Sequence, residues 1–77
     1  MKSVTIYTTP TCAFCHMAKN WMRSKDIKFE EKDVSQDISA AKEMIEKSGQ
    51  MGVPVIDVEG DITIGFNRPK LEHVLEV

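Results

Sequence analysis

The sequence predicts an α/β fold, a four-stranded mixed sheet flanked by three helices in the order β-α-β-α-β-β-α. Three observations carry that prediction. Short segments rich in apolar and β-branched residues lie at 4–8, 53–58 and 61–64, with a weaker one at 27–34, and the stretches between them repeat their apolar residues at helical spacing. Pro, Gly or a capping residue stands at most junctions. A helix of about 13 residues joins the first two strands, which makes a βαβ unit with parallel strands and a right-handed crossover. The last two strands are separated by Glu59-Gly60 alone, a tight-turn signal for an antiparallel hairpin.

The elements follow in order. Val4-Thr5-Ile6-Tyr7-Thr8 runs toward Pro10 as a strand entering a loop, and its β-branched, aromatic character places it centrally in the sheet. Over 13–25, Phe14, Met17, Ala18, Trp21 and Met22 share one side of a helix, with Lys19, Asn20 and Arg23 on the other. Met17, Trp21 and Met22 are expected in the core, whereas Phe14 either joins them or forms a partly exposed wall beside Cys12. In 27–34, Ile27, Phe29 and Val34 supply the apolar side of the second strand and the charges of 28–33 its solvated face. Asp37 caps a helix running to Lys47 that buries Ile38, Ala41, Met44 and Ile45, and Gly49 stops it. Asp57, near the hairpin turn, is expected to be a solvated strand end rather than a proton shuttle, because a buried carboxylate is costly without a partner. Asn67 caps a last helix carrying Leu71, Val74 and Leu75, with Pro69 tolerated in its first turn.

The 77 residues are expected to form one domain spanning 1–77, since a chain this short has surface enough for a single core only. Its 10 basic and 12 acidic side chains lack the basic surplus of a nucleic-acid binder. The longest apolar run, Val53-Pro54-Val55-Ile56, is far below the roughly 18 residues of a membrane span. Met1 is followed by Lys2-Ser3-Val4-Thr5 rather than a secretory apolar core, so a cytoplasmic location is expected.

Two cysteines remain, in Thr11-Cys12-Ala13-Phe14-Cys15-His16. A bond between them closes too short a loop to act as a structural staple, and in a reducing compartment such a pair exchanges electrons or binds metal. Tetrahedral zinc needs two further ligands, and the only histidines, His16 and His73, form no second pair. The expectation is no metal and no bound cofactor. A metal or iron-sulfur module built on the same cysteines, or a redox-silent interaction domain, are the rivals.

Cys12 falls where a strand exits into a helix, beside first-turn amides and the positive end of the helix dipole, both of which favour thiolate. It is expected to be the nucleophile, with Cys15, inside the first turn and less accessible, as the resolving thiol. Cys12 would attack a substrate disulfide, and Cys15 would then attack Cys12, leaving a Cys12–Cys15 disulfide. His16 is expected to be an exposed helical histidine rather than an aid to Cys12.

Val4-Thr5-Ile6-Tyr7-Thr8-Thr9-Pro10-Thr11-Cys12-Ala13-Phe14-Cys15, then Gly52-Val53-Pro54-Val55, then Gly65-Phe66, resemble the small bacterial glutaredoxin-like redoxins of thioredoxin fold, in that family's order and spacing. The resemblance implies that Pro54 is a cis-proline facing the disulfide and that the Val53 backbone pairs with bound peptide or thiol. Thr9, Pro10, Phe14, Gly65 and Phe66 would complete the substrate-binding surface, with Phe66 alternatively an interior anchor for the last helix and Met51 an apolar docking residue.

The chain departs from glutathione-dependent members. Thr9 stands where they carry a basic residue, Ala13 replaces Pro, Gly52 replaces Thr, and Gly65-Phe66-Asn67-Arg68 replaces a Gly-Gly followed by acidic residues. Gly65-Phe66 with Arg68-Pro69, and His16 directly after Cys15, are closer to redoxins that donate electrons to ribonucleotide reductase. The implied partners are protein disulfides, with ribonucleotide reductase or a peroxidase as candidates, and a thioredoxin-reductase-type flavoenzyme or glutathione as reductant. The protein is expected to act as a monomer.

Overall fold

The computed structural model describes residues 3–76. Its elements are β1 (Val4–Thr8), α1 (Ala13–Ser24), β2 (Glu30–Asp33), α2 (Ile38–Ser48), β3 (Val55–Val58), β4 (Asp61–Ile64) and α3 (Arg68–Leu75). The strands form one sheet in the order β2-β1-β3-β4. β1 is interior, parallel to β2 and antiparallel to β3, and β3 pairs antiparallel with β4. No helix among the described residues is long and apolar enough to cross a membrane.

Local chemistry sets the boundaries. Asp37 caps α2 by accepting from the Ala40 N–H, and Gly49, at φ 74°, ends it in the left-handed conformation that glycine adopts without strain. Asn67 caps α3 in the same way, accepting from the Lys70 N–H. Glu59 and Gly60 both take positive φ, the pattern of a two-residue hairpin turn with primed geometry. Two strands are shorter than their apolar runs: β2 starts at Glu30 and β3 at Val55. Ile27 and Phe29 pack on the core from the connection before β2, so hydrophobic burial at those positions comes without ladder pairing.

The sheet separates two apolar clusters. On one face α1 and α3 cover Val4, Ile6, Ile56 and Val58 with Ala18, Trp21, Met22 and Leu71. On the other, α2 covers Tyr7 and Val55 with Ala40 and Met44. The alternation of β1 residues between these clusters is the period-2 geometry of a strand buried on both sides. Val34 joins the α2 cluster, opposite to Ile27 and Phe29, so the three do not form one apolar side.

Both long helices are rotated from their expected phase. In α1 the inward stripe is Cys15, Ala18, Lys19, Trp21 and Met22, while Met17 is 51% exposed. Lys19 is buried because its stem lies along the core while its ammonium reaches Glu31 at 2.6 Å. In α2 the buried positions are Ala40 and Met44, and Ile38 and Ile45 face solvent at 74% and 38%. The face expected to hold Ile45 instead turns Glu43 and Lys47 toward the Tyr7 hydroxyl.

Candidate active site

The site is the end of the sheet where β1 runs out. Extending the β1–β3 register beyond Tyr7↔Val55 puts Pro54 opposite Thr8, and extending β3–β4 beyond Val55↔Ile64 puts Gly65 opposite Pro54. The Gly65 N–H donates to the Pro54 carbonyl at 2.8 Å, which confirms that register. Thr8, Pro54 and Gly65 therefore form a row across the sheet, and the loop from Thr8 to α1 rises from it. The peptide bond between Val53 and Pro54 is cis.

Cys12 is the N-cap of α1, with extended backbone (φ −92°, ψ 109°). Its Sγ accepts from the Cys15 N–H at 3.1 Å, so the sulfur occupies the place where a capping oxygen usually satisfies an orphan first-turn amide. The Cys12 N–H is itself held by the Thr9 carbonyl at 3.3 Å. The sulfur thus faces both an N–H donor and the N-terminal end of the α1 dipole. Cys12 is half-buried, Cys15 is fully buried, and both are free thiols. Burial pushes the Cys15 thiol up, with the Cys12 side chain adding to the shift, while the Thr8 hydroxyl and the Thr9 backbone oppose it. The pair is thus graded: one sulfur accessible and hydrogen-bonded as an acceptor, the other enclosed and held toward its protonated form.

The remaining predicted residues divide. Pro54 is buried in the row; Thr9 and Gly65 are half-buried and Pro10 is exposed. Phe14 is 62% exposed, so it does not join the core. Phe66 turns the other way. It is half-buried against the α1–α3 cluster with its ring centroid 6.2 Å from that of Trp21, the geometry of an interior anchor. Val53 packs on the α2 cluster through its side chain, and Met51 is 78% exposed in the preceding loop.

His16 is exposed as expected, but its ring is engaged: Nε2 lies 2.9 Å from the Pro10 carbonyl. A carbonyl only accepts, so Nε2 carries the proton and the ring straps the Cys12 loop to the first turn of α1. Asp57 departs from expectation. Its side chain is only 13% exposed and pairs with Lys47 at 2.8 Å. Burial, which raises a carboxyl, is outweighed by the Lys47 and Gly60 hydrogen bonds, and Asp57 is held below the usual carboxylate range. It lies opposite Thr5, away from the thiol row. Thr8 is a site residue that sequence reasoning misses, although its alternation with Ile6 already turns it toward the α1 side, where Cys15 lies. Among the described residues no three His, Cys, Asp or Glu side chains cluster closely enough to hold a metal ion.

Comparison with known proteins agrees with this geometry. A family model described as glutaredoxin matches residues 4–63. The chain is 40% identical over 73 residues to an uncharacterized glutaredoxin-like 8.6 kDa protein in the rubredoxin operon of Clostridium pasteurianum, spanning 95% of this chain and 97% of that one. Among solved structures it is similar to the thioredoxin-like protein BC3987 in a mutant form, with a TM-score of 0.92 at 26% identity over 100% of this chain and 99% of that one. It is also similar to the glutaredoxin-like protein NrdH-redoxin from Escherichia coli, with a TM-score of 0.83 at 27% identity and 92% of each chain covered.

Proposed function

The chain belongs to the glutaredoxin family, whose fold and thiol pair support thiol-disulfide oxidoreductase activity, and from that premise we propose that it is a dithiol electron carrier with Cys12 as nucleophile and Cys15 as resolving thiol. The observation that carries the assignment is the Cys12 Sγ acting as α1's N-cap at 3.1 Å from the Cys15 N–H, with Cys15 buried behind it. The Cys12 thiolate attacks one sulfur of a protein disulfide. That S–S bond breaks, a Cys12–substrate bond forms, and the other substrate sulfur leaves as a thiolate that takes up a proton. Cys15 then gives up its proton and attacks Cys12 Sγ, releasing the second substrate thiol and leaving a Cys12–Cys15 disulfide. Two electrons pass to the substrate. Both had resided on the sulfurs, so no bound cofactor is needed.

The reductant that best fits these residues is a thioredoxin-reductase-type flavoenzyme rather than glutathione. A glutathione carboxylate needs a basic group or free helix amides, and Thr9 offers no charge. At the α3 N-terminus Lys70 N–H is taken by Asn67 Oδ1 and Leu71 N–H by the Asn67 carbonyl, Pro69 has none, and the two basic side chains are engaged elsewhere, Arg68 with Glu72 at 3.7 Å and Lys70 with the Ile62 carbonyl. The NrdH-redoxin of Escherichia coli, a glutaredoxin-like relative, has a thioredoxin-like activity profile, which supports the same reading here. Ribonucleotide reductase and a peroxidase are the candidate substrates. The protein would act as a monomer in a reducing cytoplasm, where both thiols are regenerated.

Two measurements test this. Cys15→Ser is expected to accumulate a mixed disulfide through Cys12, and its absence while the native chain still reduces a test disulfide would reverse the roles. Turnover with NADPH and a thioredoxin-reductase-type flavoenzyme is expected to exceed turnover with glutathione and glutathione reductase; the opposite order assigns the reductant to glutathione.

A further inference from the structure

The segment from the end of α2 to Pro54 reads Ser48-Gly49-Gln50-Met51-Gly52-Val53-Pro54, with no periodicity and no strand. Its shape comes from side chains holding backbone. Ser48 Oγ lies 2.7 Å from the Met44 carbonyl and 3.0 Å from the Gln50 carbonyl, tying the loop to the helix. Gln50 then reaches forward. Its Oε1 accepts from the Gly52 N–H at 2.7 Å, and its Nε2 donates to the Gly52 carbonyl at 3.0 Å. One planar carboxamide therefore pairs with both polar groups of a single residue, as a neighbouring strand does.

We propose that Gln50 is a substrate-positioning residue: by gripping both backbone groups of Gly52, its carboxamide turns the Val53 N–H and C=O toward an incoming extended polypeptide disulfide. Gln50 takes up both polar groups of Gly52 within the loop, which leaves those of Val53, at the bend before Pro54, as the next pair open to a partner. The Val53 backbone makes no hydrogen bond among the described residues. It adjoins Pro54, which shares a row with Thr8 at the end of the sheet carrying Cys12. An open donor and acceptor beside a nucleophile fit the strand-like backbone that flanks a cystine, by strand addition. Small disulfides without an extended backbone cannot use it.

The composition of the loop supports the same role. A Cβ at position 52 would lie 2.7 Å from Gln50 Oε1, inside van der Waals contact, so a side chain there displaces the end of the Gln50 carboxamide and loosens the clamp. The two positions form one device, and substitutions at them must be coupled.

The inference rests on the proposed roles of Cys12 and Cys15 and adds the polypeptide preference of that site. It is tested by insulin reduction, with dithiothreitol as reductant, for the native chain, Gln50→Met, Gly52→Ala and the double variant. Gln50→Met keeps the side-chain length and removes both hydrogen bonds, so KM for insulin is expected to rise about tenfold with kcat changed less than about twofold. Gly52→Ala is expected to match it, and the double variant to be no worse than either. Iodoacetamide alkylation of Cys12 is expected to proceed at the native rate in all four. A native KM in Gln50→Met overturns the proposal, as do losses that multiply in the double variant. A fall in kcat and alkylation rate with KM unchanged marks a merely structural role and also overturns it. If the native chain leaves insulin intact, the thiol assignment fails and this inference falls with it.

Discussion

The two faces of the sheet solve the burial problem in different ways. Beneath α1 and α3, the side that carries the thiols, the core is a continuous apolar cluster from Val4 to Leu71. Two of its polar atoms, Trp21 Nε1 and Thr63 Oγ1, have no hydrogen-bond partner among the described residues. Beneath α2 the apolar cluster is smaller and is completed by a polar chain through four elements. The Tyr7 hydroxyl donates to Glu43; Lys47 reaches Tyr7 Oη at 3.0 Å and Asp57 at 2.8 Å; Lys32 pairs with Glu43 at 3.0 Å. Apolar packing supports the redox helix and shields Cys15 from charge, while the ionisable groups that fix α2 are kept on the opposite side of the sheet. Stability on the thiol side should therefore respond to volume, and on the α2 side to charge and pH.

The largest effect is expected from volume. Met22 is fully buried in the α1–α3 cluster, and Met22→Ala should cost about 2–5 kcal/mol, a large share of the stability of a domain this small. Equilibrium denaturation in urea measures it. A loss near that of an exposed substitution would mean that α1 is not anchored through this cluster.

Charge comes next. Lys47→Met should cost about 1–3 kcal/mol, because it leaves the mostly buried Asp57 carboxylate and the Tyr7 hydroxyl without their shared partner. The acid response follows from Glu43, whose carboxyl is held at about 2 by the Tyr7 hydroxyl and then by Lys32 and Lys47. A depressed carboxyl stabilises the fold above its unfolded value near 4.5, and that contribution is lost as pH falls toward about 2. Asp57, also lowered, acts in the same direction. Lys47, raised first by Asp57 and then by Tyr7, contributes below its ordinary value and loses that contribution only in strong alkali. Melting temperature plotted against pH should thus fall more steeply between about 4.5 and about 2 in the native chain than in Glu43→Gln. Parallel curves would remove Glu43 from the account.

These contrasts separate what is legible in the sequence from what is hidden there. Element order, the Asp37 and Asn67 caps, the Glu59-Gly60 turn and Cys12 at the head of α1 are local signals, each carried by one or two residues whose conformational preferences act on their own neighbours. Helix phase is a tertiary property. Met17 and Lys19 exchange their expected sides because a lysine stem can line a core when its ammonium reaches a carboxylate on β2. Ile38 and Ile45 lose the inner face of α2 to Ala40, Glu43 and Lys47, and only the buried Tyr7 hydroxyl, distant in sequence, explains that choice. At the site, Cys12, Cys15 and Pro54 are legible by motif. Gln50 is not, since one amide in a patternless loop acquires meaning only from its distance to Gly52.

The smallest predicted effect is a gain. Thr63 pairs with Ile56 on β3, so its side chain enters the α1–α3 cluster, where it is fully buried and Oγ1 has no partner among the described residues. A buried hydroxyl without a hydrogen bond forfeits its hydration for nothing, and Val replaces it with a methyl of nearly the same shape. Thr63→Val should therefore stabilise the fold by about 1 kcal/mol with no cavity formed. β-branching is retained, so strand preference is unchanged. The same denaturation experiment reads it, and hydrogen exchange at the β3–β4 amides localises it. If Thr63→Val destabilises instead, the hydroxyl has a partner and polar pairing on the thiol side extends beyond the Lys19–Glu31 pair into the cluster itself, which would erase the contrast with α2 at the one position where it is sharpest.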